Sequence, residues 1–195
     1  MILVKFFSYI LDFFIVSRKI NKEEIIIRTL LQPKHLSSGS SEFQQKKFDQ
    51  YFLPLNGGVS VDRYRYQNEN KSKQKAKKVF KGEQKYIGFA FFDMKIFEES
   101  LNEYCMKYKN DEFLAEITSS PLNLKMKEIK SKIIFVFQRG NVAHADIVYR
   151  YPNYIEVPQT SIRSFSKILA AKSKKVLDKN IEDINWKEGK FSKLI

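Results

Sequence analysis

The stretch YIGFAFFDMKIFEESLNEYCMKY, residues 86–108, decides the fold class. Tyr86 to Phe92 is a short apolar run rich in aromatic residues, the signature of a buried strand. Asp93 follows where a side-chain oxygen caps a helix N-terminus. Beyond it Phe97, Leu101, Tyr104, Cys105 and Tyr108 recur at i, i+4, i+7, i+8 and i+11, so a helix over 94–108 has one apolar side. Cys105 belongs to that side and reads as core rather than nucleophile. A strand passing directly into an amphipathic helix points to a mixed α+β protein.

Upstream, EEIIIRTLL (23–31) is β-branched at its centre and ends at Pro33, which predicts a buried strand. KHLSSGSS (34–41) reads as a loop, with Ser40 or Ser41 placed to cap a helix over 43–52 that carries Phe43, Lys47 and Tyr51 along one side. Pro54 and Gly57-Gly58 introduce VSVDRYRY (59–66). Its alternation sets Val59, Val61 and Arg63 on one face of a strand, and Ser60, Asp62 and Tyr64 on the other. From 67 to 81 the chain changes character: Lys71, Lys73, Lys75, Lys77, Lys78 and Lys81 follow Glu69 with no acid among them. Such a run predicts a solvated Lys-rich loop or mobile hairpin.

Downstream, strands are predicted at 113–118 and 133–137, separated by Pro121 and a charged stretch. The turn Arg139-Gly140-Asn141 joins the second of these to 143–149 as a hairpin. Thr160 is placed to cap a helix carrying Ile162, Phe165, Ile168 and Leu169 inward, with Lys172, Lys174 and Lys175 at its C-terminal end, where cations suit the dipole. The expected organisation is an apolar N-terminal helix (1–22), one α+β domain (23–178) and a peripheral tail (179–195) holding Trp186. That domain has about six mainly antiparallel strands and about three helices.

Net charge bears on partners. The chain has 35 Lys and Arg against 22 Asp and Glu, a formal charge of +13. Such a surface attracts nucleic acid or an anionic membrane, although Lys-rich composition by itself also produces it. A single cysteine excludes an internal disulfide and a cysteine-based structural zinc site, and suits a reducing, cytoplasmic setting. Met1 to Val16 is apolar, but Lys5 and Asp12 interrupt it, and each charge at a bilayer centre costs about 2.5–3.5 kcal/mol on the insertion scale. A membrane span is therefore disfavoured. Lys5, Ser8 and Asp12 would form one polar stripe on a helix buried in the protein or docked on a protein partner, with membrane-surface attachment the lesser alternative.

Phosphate-cradling, dinucleotide, nucleophile-elbow and kinase signatures are missing, and no cofactor or metal is indicated. His35 and His144 both sit among polar residues, and His144 shares a strand face with Asp146. One reading brings the imidazoles together with Asp62 or Asp146 and Arg63 to bind or cleave a nucleotide or phosphate ester. The other has two structural histidines. The lysines offer a second candidate surface: Lys71, Lys73, Lys75, Lys77 and Lys78 with Arg63 and Arg65 would neutralise phosphates, and Tyr64, Tyr66 and Phe80 would stack on bases.

The strings Pro33-Lys34-His35, Ser40-Ser41-Glu42-Phe43, Val59-Ser60-Val61-Asp62 and Asn141-Val142-Ala143-His144-Ala145 resemble, in order, blocks of a group of small uncharacterised bacterial proteins. Glu42 stands where that group has Ala, and Val142 where it has Pro. The resemblance implies no activity, but it implies that His35, Ser41, Asp62 and His144 share one site. The leading expectation is a basic accessory protein engaging nucleic acid or a nucleic-acid-handling partner. The alternatives are an enzyme or ligand-binding protein using His35 and His144, and a subunit docked through residues 1–16.

Overall fold

The computed structural model describes residues 20–32, 59–79, 84–119, 143–151 and 157–193, and the backbone of 122–129 and 132–139. The architecture is α+β, as the residue patterns imply. Strands β1 (Ile25–Gln32), β2 (Val59–Arg63), β3 (Lys85–Asp93), β4 (Leu114–Ser119), β7 (His144–Arg150) and β8 (Lys174–Leu177) form one antiparallel sheet in the order β4-β7-β2-β1-β3-β8. Strands β5 (Leu122–Ile129) and β6 (Lys132–Arg139) pair with each other. The helices are α1 (Glu69–Val79), α2 (Met94–Tyr108) and α3 (Gln159–Lys172). The apolar helix over 1–22 and the helix over 43–52 fall on residues that lie, but for 20–22, outside those described. No helix among the described residues is long and apolar enough to cross a membrane.

The deciding stretch folds as its pattern dictates. β3 is buried along nearly its whole length, and Asp93 Oδ1 accepts the Ile96 N–H at 2.7 Å to cap α2. Phe97 and Tyr104 are buried, and Leu101 and Cys105 pack beside them. α2 and α3 cover one face of the sheet together, with Phe97 edge-on to Phe165 at 5.5 Å. Ile26, Leu30, Val59, Val61, Ile87, Ala90, Phe92, Ala145, Ile147 and Tyr149 supply the sheet's share of that core.

The opposite face has its own core, in which Ile27, Tyr86, Phe89 and Phe91 meet Ala76 of α1 and Trp186 and Phe191 of the C-terminal segment. The 179–193 segment is therefore not peripheral. Phe191 is fully buried, 4.6 Å from Phe91 and 5.3 Å from Trp186, and its N–H donates to Glu69 Oε1 at 2.9 Å. β8 brings this segment to the sheet, and Gly88 makes the approach possible. Gly88 has φ +154°, and a Cβ there would lie 2.2 Å from the Val176 carbonyl oxygen.

Three further expectations are corrected. The Lys-rich 67–81 segment is not a loop, because it contains α1, started by Asn68, whose Oδ1 accepts the Lys71 N–H at 2.9 Å. Its buried side is Ser72, Lys73 and Ala76, so polar residues occupy the positions where an apolar stripe would announce a helix. The proposed β6–β7 hairpin does not form, since β7 pairs along both edges with β2 and β4, and β6 pairs with β5. Thr160 lies inside α3 and does not cap it: Pro158 holds the N-cap position, and Lys174 and Lys175 belong to β8.

Candidate functional site

The pleat of β2 and its register with β7 create the site. Ser60 and Asp62 alternate away from the α2–α3 core, into which Val59 and Val61 point. Asp62 stands opposite His144 and Ser60 opposite Asp146, so the four polar residues share one face of two adjacent strands. β1 adds Ile27 and Thr29, and α1 adds Lys75, Ala76 and Val79 as a wall. The result is a pocket of about 300 Å³. Arg28 and Val61 also line it, although alternation puts Arg28 on the face of Val61 and Ala90, which belong to the α2–α3 core. Arg28 is close enough to Tyr149 in that core to act on its phenol, which burial pushes up and the guanidinium pulls down.

The polar contacts define what the pocket offers. Lys75 Nζ pairs with Asp62 Oδ1, the carboxylate being only 13% exposed and the ammonium 34%. His144 Nε2 lies 3.3 Å from Asp146 Oδ2 and 3.5 Å from Ser60 Oγ. Both contacts use the same ring nitrogen. A nucleophile–base–carboxylate relay needs the hydroxyl and the carboxylate on opposite nitrogens, so Ser60, His144 and Asp146 do not form a hydrolytic triad. No group of three or more metal-ligating side chains occurs among the described residues.

Of the residues expected at a catalytic site, Asp62 and His144 come together, while His35 and Ser41 lie outside the described residues. Ser60, Thr29 and Lys75 complete the pocket. The alternation of β2 marks Ser60 as a companion of Asp62, but Thr29 and Lys75 reach the site only through strand register and the docking of α1, which sequence does not announce.

The expected phosphate-binding cations are redistributed. Arg63 is fully buried: it holds both Glu24 carboxylate oxygens, Nη2 to Oε2 at 2.7 Å, donates to Ser119 Oγ at 3.3 Å, and stacks on the Tyr66 ring. Lys73 is equally buried, paired with Asp178 Oδ2 at 2.7 Å and donating to the carbonyls of Asn180 (2.7 Å) and Asn185 (3.1 Å). Lys77 donates to the carbonyls of Ile181, Glu182 and Asp183. Arg63 and Lys73 are thus withdrawn from any surface contact, because a desolvated, paired cation presents no charge to a polyanion. Arg65, Lys71 and Lys78 are exposed.

Cys105 is a core residue with its thiol pushed up by burial and by Asp111, which removes it as a thiolate nucleophile. No family model matches the chain, and no curated protein or solved structure is significantly similar to it, so the pocket itself carries the functional reading.

Proposed function

We propose that this protein binds a small organic ligand in the pocket framed by β1, β2, β7 and α1. The observation that supports it is convergence: Thr29, Ser60, Asp62, Lys75 and His144, from four separate elements, face one concavity backed by Ile27, Ala76 and Val79. A few polar groups on an otherwise apolar wall are the usual composition of a ligand site, and about 300 Å³ is the lower end of their usual size. Ser60 is exposed on a strand, so a larger side chain there fills the pocket without entering the core. The test is saturation-transfer NMR of the full chain with nucleosides, nucleotides, sugar phosphates and amino acids, repeated on Ser60→Tyr. The reading expects at least one compound to bind wild type and to lose its signal with the variant. It is abandoned if none binds, or if every binder is retained equally by both.

A second reading keeps the nucleic-acid partner, favoured by the +13 charge and by exposed Arg65, Lys71 and Lys78. It expects salt-sensitive retention of labelled DNA or RNA that weakens when those three residues become Ala. Retention that ignores salt or the triple variant rules it out.

A further inference from the structure

The pocket's charge balance speaks to the kind of ligand, and a ligand class assigned from it rests on the small-molecule binding proposed for this pocket. Lys75, the lysine that lines the pocket, is already paired with Asp62. His144 stands against Asp146. Among the described side chains on this face of β2, β7 and α1, the two carboxylates match or exceed the charge of Lys75 and the imidazole, whichever state the imidazole adopts.

Lys75, Ala76 and Val79 line the pocket from α1 (Glu69–Val79), and the Lys75 charge is spent on Asp62. An anionic group entering beside them would meet the Asp62 carboxylate. A ligand that brings N–H groups would instead find acceptors.

The remaining groups add shape. Ile27, Ala76 and Val79 form an apolar wall, while the Ser60 and Thr29 hydroxyls both donate and accept. The Asp62 carboxylate, engaged by Lys75 through Oδ1, has a second oxygen to accept hydrogen bonds. We infer that the pocket takes an uncharged heterocycle presenting an N–H edge, a nucleobase or nucleoside, in preference to a phosphate-bearing ligand. On this inference recognition rests on the ring rather than on the phosphate ester that the sequence reading set at His144.

The test follows the His144 ring by ¹H–¹³C NMR on the full chain, its signal identified by its loss in His144→Gln. The probes are adenosine, guanosine, cytidine and uridine, their 5′-monophosphates, and inorganic phosphate. The inference expects saturable shifts with at least one nucleoside, none with inorganic phosphate, and no tighter binding by the matching monophosphate. Asp62→Asn should weaken the nucleoside at least tenfold. It should also admit inorganic phosphate, because Lys75 is released.

Phosphate or a monophosphate binding wild type where the nucleoside does not would overturn the inference, yet leave the pocket as a binding site. Silence from every probe overturns it as well, and the wider panel with Ser60→Tyr then decides the binding reading separately. If Asp62→Asn fails to fold, Ser60→Tyr serves in its place: nucleoside shifts that persist unchanged in that variant refute the assignment.

Discussion

Replacing Lys73 by Met tests whether the lysines of α1 are internal struts. Lys73 and Asp178 both have side chains with no solvent exposure, and the ammonium meets three acceptors: Asp178 Oδ2 at 2.7 Å and the Asn180 and Asn185 carbonyls at 2.7 and 3.1 Å. The two carbonyls take hydrogen bonds from the ammonium, and the Asp178 carboxylate balances its charge. Met matches the aliphatic stem but strands a buried carboxylate, and breaking one side of a buried pair costs about 3–5 kcal/mol. At about 2–4 °C per kcal/mol for a chain of this size, the midpoint of thermal unfolding should fall by roughly 6–20 °C. Urea unfolding followed by Trp186 fluorescence gives the free energy directly. Lys73→Met with Asp178→Leu should recover most of the loss, because an apolar pair removes the stranded charge. Lys71→Met, at an exposed position on the same helix, should stay within about 0.5 kcal/mol of wild type. A Lys73→Met loss no larger than that of Lys71→Met would refute the buried strut.

Other perturbations probe the rest of the second core. Burial acts to raise the Glu69 pKa, but hydrogen bonds from backbone N–H groups and the Tyr64 hydroxyl, with Lys190 nearby, outweigh it and hold the carboxyl below its ordinary 4.5. A carboxylate with a lower pKa folded than unfolded stabilises the fold above the unfolded value and loses that contribution as pH falls through the folded one. Trp186 fluorescence should therefore report loosening of the C-terminal segment below about pH 4.5, and Glu69→Gln should remove that component of the acid transition. Gly88→Ala would drive a methyl group into the Val176 carbonyl at a positive φ, and should cost more than about 1 kcal/mol in urea unfolding, with the β8 amides losing hydrogen-exchange protection first. Trp186→Ala should cost about 3–5 kcal/mol, as expected for a buried aromatic and not for a residue on a loose tail.

How far the fold was legible depends on which residues carried it. β2, β3, α2 and α3 announced themselves because apolar residues occupy their buried positions, at period 2 or at helical spacing. α1 was hidden because Ser72 and Lys73 take two of its three buried positions, and the desolvation of Lys73 is offset by acceptors over a hundred residues away. β8 is four residues long and begins with two lysines, and Trp186 and Phe191 are separated by polar residues, so neither read as core. β5 alternates Leu122, Leu124 and Met126 with polar residues, a period-2 pattern obscured by its lysines. At the site, the shared face of Ser60 and Asp62 and that of His144 and Asp146 were both readable. Their juxtaposition was not, since it depends on the β2–β7 register, and nothing local in Lys75 separates it from its neighbours on α1.

The strand order has a kinetic consequence. β1 lies at the centre of the sheet beside β2, but β2 gains its second neighbour only when β7 arrives, with Ser60 and His144 84 residues apart in the chain. Lys73 finds its carbonyl acceptors at separations of 107 and 112 residues. Closing such long loops precedes the contacts that reward it, which places this chain among slow folders, on the order of milliseconds to seconds. Until residues 178–185 dock, the Lys73 ammonium lacks its internal partners Asp178, Asn180 and Asn185. Contacts formed after the main barrier act mainly on the unfolding rate, so Lys73→Met is expected to speed unfolding and to leave the folding limb of the chevron nearly unchanged.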